Sequence, residues 1–277
     1  MSNPPLLAFI GGGNMARALI GGLIENGHAA DAILVSEPDA GTAARLQRDF
    51  GVRLATDNKE AATAADVVVL AVKPQQLARV CAAIAPAVQR GRPLLISIAA
   101  GIRERSIEEW LGGDVMLVRC MPNTPALVGA GMTGLHAGPG VDAVGRALAE
   151  RILGAVGEVL WVEEESLLDA VTAVSGSGPA YYFLFMEAMI DAGERLGLSR
   201  EAATRLTLQT ALGAARMARA GDEPPGVLRQ RVTSPGGTTE QALRHFEQGG
   251  LRELVVEALR KARDRSIELS DQLAGSA

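Results

Sequence analysis

The chain has 277 residues, 48% of them hydrophobic and 3% aromatic, and its 27 Lys and Arg against 32 Asp and Glu leave a formal net charge of −5. A mean hydropathy of +0.15 and a pI near 5.4 fit a well-buried protein of two domains or one large one, and argue against nucleic acid or a membrane surface as partner. The two cysteines, Cys81 and Cys120, stand in apolar stretches with neither a CxxC pair nor a histidine at ligand spacing, so both read as small core residues of a reduced, cytoplasmic protein rather than a disulfide or a metal site.

At the N-terminus, Met1-Ser2-Asn3-Pro4-Pro5 carries no basic segment and the apolar run behind it stops at Gly11, which does not suit a secretory leader. Residues 6–10 read as a buried strand and residues 15–24 as the start of an amphipathic helix. Gly11-Gly12-Gly13-Asn14-Met15-Ala16 lies across the junction. Glycine at 11 allows a sharp turn, glycine at 13 lets the backbone approach a pyrophosphate without a Cβ clash, and Ala16 takes the third small position, where helix and strand pack closely. The helix start offers free N–H groups and a positive dipole end to that anion. Such turns also occur for packing alone; the first-strand position, with further strand–helix units behind it, favours a dinucleotide.

Further strands are expected at 32–35, 52–54, 67–72, 94–98 and 115–119, with helix-forming segments between most of them. This alternation predicts a doubly wound, mostly parallel sheet covered on both faces, and the continuous apolar run Val67-Val68-Val69-Leu70-Ala71-Val72 is typical of a parallel strand. Short strands near 133–137 and 158–162 extend the sheet, with a helix over 141–155 between them. Ligands of such sheets sit beyond the carboxyl ends of the strands. Unusual loops fall there: Ser36-Glu37-Pro38, Lys73-Pro74, Ser97-Ile98-Ala99-Ala100-Gly101 and Met121-Pro122-Asn123-Thr124-Pro125. Each alone reads equally well as a polar turn, but their coincidence opposite a glycine turn points to a ligand site.

From about residue 164 the period changes to a helical one, carried by Leu167, Leu168, Val171 and Val174, then by Leu206, Leu208, Leu212 and Met217, and by a run over 251–269. No strand signal follows residue 162, and the breaks at 175–179, 197–199, 221–226 and 234–237 are Gly, Pro and Ser clusters. The expected domains are therefore 1–163, α/β, and 164–277, all helical. The most apolar helical stretch, 180–190, is too short to cross a bilayer and contains Glu187. The helical domain has more apolar stripe than its own small core can cover, which predicts an obligate dimer.

Two segments of the helical domain carry chemistry. Ser175-Gly176-Ser177-Gly178-Pro179-Ala180-Tyr181 reads as a break with Pro179 in the first turn of the next helix. Thr233-Ser234-Pro235-Gly236-Gly237-Thr238-Thr239-Glu240 also precedes a helix. Its glycines, hydroxyls and free N–H groups make a cradle for a carboxylate or phosphate, or else a plain helix cap. His28, His136 and His245 fall outside all of these segments and read as packed or solvated residues, and no Asp/Glu/His cluster has metal-ligand spacing. A dehydrogenase acting on an alcohol needs a general base. A protonated C=N accepts hydride without one, and hydroxyls and backbone amides suit that chemistry.

Taken together, Gly11-Gly12-Gly13-Asn14-Met15, Val72-Lys73-Pro74, the loops at 97–101 and 121–125, and the segments 175–181 and 233–239 make the sequence resemble the pyrroline-5-carboxylate reductases, which catalyse the last step of proline synthesis. The resemblance runs through essentially the whole chain, and the 233–239 segment is its most specific part. It implies a Rossmann domain joined to a helical dimerisation domain, a homodimer, a decamer of five dimers, and active sites completed by the neighbouring subunit's helices. It places the cofactor on Gly11, Gly13, Asn14 and Met15, with Ser36 and Asn58 toward the adenosine ribose. Ala71, Val72, Lys73 and Pro74 would line the nicotinamide side with Ala99 and Ala100. Ser234, Gly236, Gly237 and Thr238 would hold the substrate carboxylate, and Thr239, the catalytic candidate, would hydrogen-bond the ring nitrogen. Hydride would pass to the C=N carbon of 1-pyrroline-5-carboxylate, giving L-proline, with NADPH the expected cofactor and NADH the second candidate.

Glu37 departs from the small polar residues that NADPH-preferring relatives carry after the second strand. It would either repel a 2′-phosphate or bind the ribose diol, and Arg45 and Arg48 are the nearest cations in sequence. Two other readings compete. A β-hydroxyacid dehydrogenase would need a lysine in the first glycine-rich region of the helical domain, and residues 175–194 contain none. A silent dinucleotide sensor would show a degraded substrate loop, whereas 234–239 is complete.

Overall fold

A computed structural model describes residues 4–274; Met1, Ser2 and Asn3, on which the leader reading partly rests, lie outside the described residues. The apolar run expected over 6–10 forms β1 (Leu7–Ile10), and the glycine turn leads into α1 (Asn14–Glu25). There follow β2 (Ile33–Ser36), α2 (Ala40–Phe50), β3 (Arg53–Leu54), α3 (Asn58–Ala64), β4 (Val67–Leu70), α4 (Pro74–Gly91), β5 (Leu94–Ser97), α5 (Glu104–Leu111) and β6 (Met116–Met121). The sheet half closes with β7 (Gly131–Ala137), α6 (Ala143–Leu153) and β8 (Gly157–Trp161). Helix starts carry their own signals: Asp39 Oδ1 accepts from the Thr42 N–H at 2.7 Å, Asp57 Oδ1 from Glu60 N–H at 2.8 Å, and Pro74 opens α4.

Among the described residues the strands form one sheet in the order β3-β2-β1-β4-β5-β6-β7-β8. β1 to β6 pair in parallel, β7 runs antiparallel to β6, and β8 runs parallel to β7. The fold is thus the doubly wound, mostly parallel Rossmann type. Alternate residues of each buried strand go to opposite faces. Leu7, Phe9, Val67 and Val69 meet α1, α2 and α6 on one side; Ala8, Ile10, Val68 and Leu70 meet α3, α4 and α5 on the other. Both faces are covered, which is why these strands are apolar throughout instead of alternating. Cys120 packs in the first layer and Cys81 in the second.

The rest is helical: α7 (Leu167–Val171), α8 (Gly178–Arg195), α9 (Arg200–Ala220), α10 (Pro225–Arg231), α11 (Thr238–Gln248) and α12 (Leu251–Ala274). The break expected at 175–179 falls at Ser177, between a π-helical turn, Thr172–Gly176, and α8, which has Pro179 in its first turn; the Ser177 N–H donates to Thr172 O at 2.8 Å and closes the π-helical turn. Hydroxyls make it tolerable: Thr172 Oγ1 donates to Leu168 O at 2.8 Å and Ser175 Oγ to Val171 O at 3.2 Å, supplying donors to carbonyls around the widened turn. The short α10 was not legible from its Gly/Pro-rich surroundings.

Packing divides the chain into two compact units, one of residues up to 177 together with those from 262 on, the other of 178–261. This follows contacts instead of periodicity. Within the first unit α12 is tied to α7 by Ser266 Oγ donating to Asp169 Oδ1 at 2.7 Å, and Ser266 and Ser270 are buried there. Within the second unit α8 packs on α9, and Phe185 meets Phe246 with ring centroids 6.2 Å apart. Among its described residues Ile190 and Ala203 alone are buried hydrophobics, while Phe183, Leu184, Leu206, Leu212, Leu254 and Val256 are exposed. No helix of the described residues is long and apolar enough to cross a membrane.

Candidate active site

The carboxyl end of the sheet is organised around the turn after β1. Gly11 N–H donates to Ser36 O at 2.9 Å and Ala71 N–H to Ile10 O at 2.8 Å, so the turn is pinned between β2 and β4. Gly11 has φ +100°, and a Cβ there would lie 2.5 Å from Ala71 O. No other residue fits. Gly13 is different: a Cβ would meet nothing within 4 Å, and Gly13 caps α1 with no side-chain hydrogen bond. The first-turn N–H groups of α1 therefore face open space that a phosphate can enter. These residues fit a pyrophosphate.

A cleft of about 490 Å³ opens from this turn. Its walls bring together Gly11, Gly13, Ser36 and Asn58 with Ala71, Val72 and Lys73, all expected on the cofactor. Ser36 Oγ donates to Asn58 Oδ1 at 2.6 Å, joining the ends of β2 and the start of α3. The remaining expected cofactor residues are placed otherwise. Asn14 lines an adjoining concavity with Arg17, Thr42 and Arg45, Met15 packs against the core, Pro74 begins α4, Ala99 is buried and Ala100 is exposed. Arg45 Nη2 donates to Thr42 Oγ1 at 2.9 Å, and Arg48 pairs with Asp49 at 3.0 Å. Sequence reasoning missed Gln76 and Arg79, which also line the cleft. Their signal was the helical spacing of Gln76, Arg79 and Val80 behind Pro74.

In the helical unit the expected substrate residues share one turn at the start of α11. Gly237 is the N-cap and provides no side-chain cap, Gly237 N–H donates to Ser234 O at 3.0 Å, and Gly236 takes φ +73°. Thr238 and Thr239 are the first two helical residues, Thr238 exposed and Thr239 half-buried. Glu240, which sequence reasoning did not single out, accepts from Gly236 N–H at 2.8 Å and steadies the turn. Its spacing from Gly237 is the one a capping carboxylate takes, a readable signal.

The loop after β6 is used structurally. Buried Asn123 donates through Nδ2 to Ser175 O at 3.0 Å and accepts from Met132 N–H at 2.9 Å, clamping the π-helical turn to β7. Nearby, Arg119 pairs with Glu165, Arg103 Nη2 lies 2.8 Å from Asp169 Oδ2, and His136 Nε2 lies 3.3 Å from Glu104 Oε2. Burial pushes the Glu104 carboxyl above its ordinary range, with His136 pulling the other way, and Glu104 Oε1 has no hydrogen-bond partner. His28 is held below its ordinary range by burial, and His245 is exposed on α11. Burial raises the thiols of Cys81 and Cys120 to about 12, so neither supplies a thiolate near neutral pH.

Comparison with known proteins agrees with both halves of the chain. A family model described as pyrroline-5-carboxylate reductase dimerisation matches residues 165–269, and one described as NADP oxidoreductase coenzyme F420-dependent matches residues 6–101. A pyrroline-5-carboxylate reductase of Pseudomonas aeruginosa is 54% identical over 97% of this chain and 98% of its own. The solved reductase of Coxiella burnetii superposes with a TM-score of 0.94 at 48% identity, covering 97% of this chain and 99% of that one. The Plasmodium falciparum reductase, solved with NADP bound, gives a TM-score of 0.85 at 31% identity over 98% of this chain and 100% of that one. The chain belongs to the pyrroline-5-carboxylate reductase family.

Proposed function

We propose that this chain reduces 1-pyrroline-5-carboxylate to L-proline, with NADPH as reductant and NADH as the second candidate. The observation that carries this reading is full-length relatedness to reductases of that name in a chain whose glycine turn is open to a phosphate. When bound, the nicotinamide supplies the hydride that the C=N carbon accepts. The N–H groups at the start of α1, with Gly11, Gly13, Asn14 and Met15, hold the pyrophosphate. Ser36 and Asn58 face the adenosine ribose, and residues 71–74 with Ala99 and Ala100 border the nicotinamide side.

Ser234, Gly236, Gly237 and Thr238 hold the substrate carboxylate on the free N–H groups and dipole of α11, and the Thr239 hydroxyl hydrogen-bonds the ring nitrogen. These groups orient the imine and stabilise charge without a strong acid, which suits an electrophile that is already protonated. For function, the domains in this reading are 1–163, binding the dinucleotide, and 164–277, binding substrate and a second copy of the chain. The exposed apolar residues of α8, α9 and α12 support a homodimer; that the partner's helices complete each active site and that five dimers form a decamer follow in this reading from the family resemblance alone. The protein works in the cytoplasm. Incubation of the purified chain with 1-pyrroline-5-carboxylate and NADPH, following the absorbance of the reduced cofactor, tests the reading. Proline formation supports it, and cofactor binding without turnover refutes it in favour of a dinucleotide sensor.

A further inference from the structure

Glu37 follows β2 and turns its carboxylate back onto the glycine turn. Oε2 accepts from the Gly12 N–H at 2.7 Å and Oε1 from the Asp39 N–H at 2.9 Å, so both oxygens are located by backbone donors while the side chain still lines the cleft. The loop Ser36-Glu37-Pro38-Asp39 holds no cation. The Asp39 carboxylate is engaged as the cap of α2. The cations nearby on α1 and α2 are otherwise engaged: Arg17 and Arg48 pair with Asp49, and Arg45 donates to Thr42 in the adjoining concavity.

In doubly wound dinucleotide sites, a carboxylate placed after the second strand accepts hydrogen bonds from the ribose, whereas an arginine there accommodates a 2′-phosphate. We infer that Glu37 is the residue by which this chain discriminates between the two nicotinamide dinucleotides. Its carboxylate accepts from the ribose 2′-hydroxyl of NADH and opposes the 2′-phosphate of NADPH. Lys73, just ahead of α4, and Arg79 on α4, which line the same cleft, offset part of that repulsion, so NADPH is still used. The inference rests on the reading of the cleft as the dinucleotide site.

The test is calorimetric titration of the purified full-length protein with NADP⁺ and with NAD⁺, without substrate, for the wild type, Glu37→Gln and Glu37→Ser. Gln keeps the shape and one backbone acceptor; Ser removes the side chain's bulk; a thermal melt checks that each variant folds. The ratio of the NADP⁺ to the NAD⁺ dissociation constant is expected to fall by about tenfold or more in both variants, the scale of one charge-assisted hydrogen bond lost and one repulsion relieved. A smaller change, or one in the opposite direction, with both dinucleotides still binding overturns the role of Glu37 alone. Failure of the wild type to bind either dinucleotide overturns the reading of the cleft as well.

Discussion

Replacing Thr239 with valine keeps the side chain's volume and branching and removes one hydroxyl. Among the described residues that hydroxyl has no hydrogen-bond partner, and the cap of α11 is Gly237, so the fold loses no bond with it. Valine and threonine have similar helix propensities, and the stability cost is expected to stay within about 0.5 kcal/mol. If the hydroxyl holds the ring nitrogen, the reaction loses one hydrogen bond, about 1.4 to 2.7 kcal/mol when the partner is charged, which lowers kcat/KM roughly ten- to a hundredfold. Steady-state rates with 1-pyrroline-5-carboxylate and NADPH measure the loss, a thermal melt separates it from unfolding, and NADP⁺ titration should give an unchanged Kd. Thr239→Ser, which restores the hydroxyl, should recover most of the rate. Wild-type kcat/KM in the valine variant would refute the assignment, as would a loss of rate matched by a fall of several degrees in Tm.

Gly11→Ala places a Cβ 2.5 Å from Ala71 O at φ +100° and should cost about 2 kcal/mol or more in urea unfolding, together with dinucleotide affinity; near-wild-type values for both would show that the turn yields. Glu104 has its carboxyl raised from 4.5 in the fold, so its contribution to stability is present below the unfolded value and lost as pH rises through the folded one. Glu104→Gln should therefore raise stability above pH 4.5 and flatten its pH dependence there; an unchanged slope in urea midpoints across that range would contradict this. The exposed apolar residues of α8, α9 and α12 call for a dimer in light scattering at working concentration, and a stable, active monomer would rule that out.

The sheet was legible because its strands are buried on both faces: Val67, Val68, Val69 and Leu70 can be a parallel strand or a short helix, and the run of β-branched valines with Pro74 shortly behind it decides for the strand. Helix starts were legible where the signal is local, as at Pro74 and in the segment before Thr238. The π-helical turn was not: the Gly and Pro of 176–179 mark the stop before α8, but the widening of the turn ahead of it, where the hydroxyls of Thr172 and Ser175 bond to carbonyls of α7, leaves no signature in the residue pattern. Contacts between distant residues leave no local trace. The Ser36–Asn58 bond spans 22 positions, Arg103 meets Asp169 across 66, and Ser266 reaches Asp169 across 97. For the same reason, the tie between the end of α12 and α7 could not be read from the change of period near residue 164.

The distribution of charge bears on the chemistry. Arg103, Glu104, Arg119, His136, Glu165 and Asp169 gather where α5 and α7 meet β6 and β7, and bonds through Asp169 and Ser266 carry the cluster to α12. Such a network fixes helices to a sheet, and removing Glu165 would leave the buried Arg119 guanidinium uncompensated. The segments proposed to meet the ligands contain a different set of groups: N–H groups at two helix starts, the hydroxyls of Ser36, Ser234, Thr238 and Thr239, and the amide of Asn58. None of these changes protonation near neutral pH. A site that had to remove a proton from an alcohol would need a base among them, whereas a site that presents a protonated imine to a hydride donor needs fixed dipoles and a place for a carboxylate. The groups present match the second requirement, so the chemical step in the Thr239→Val protein should keep the pH profile of the wild type while its rate falls. A shifted profile would mean that a titrating group acts through Thr239 and that the imine does not arrive already protonated.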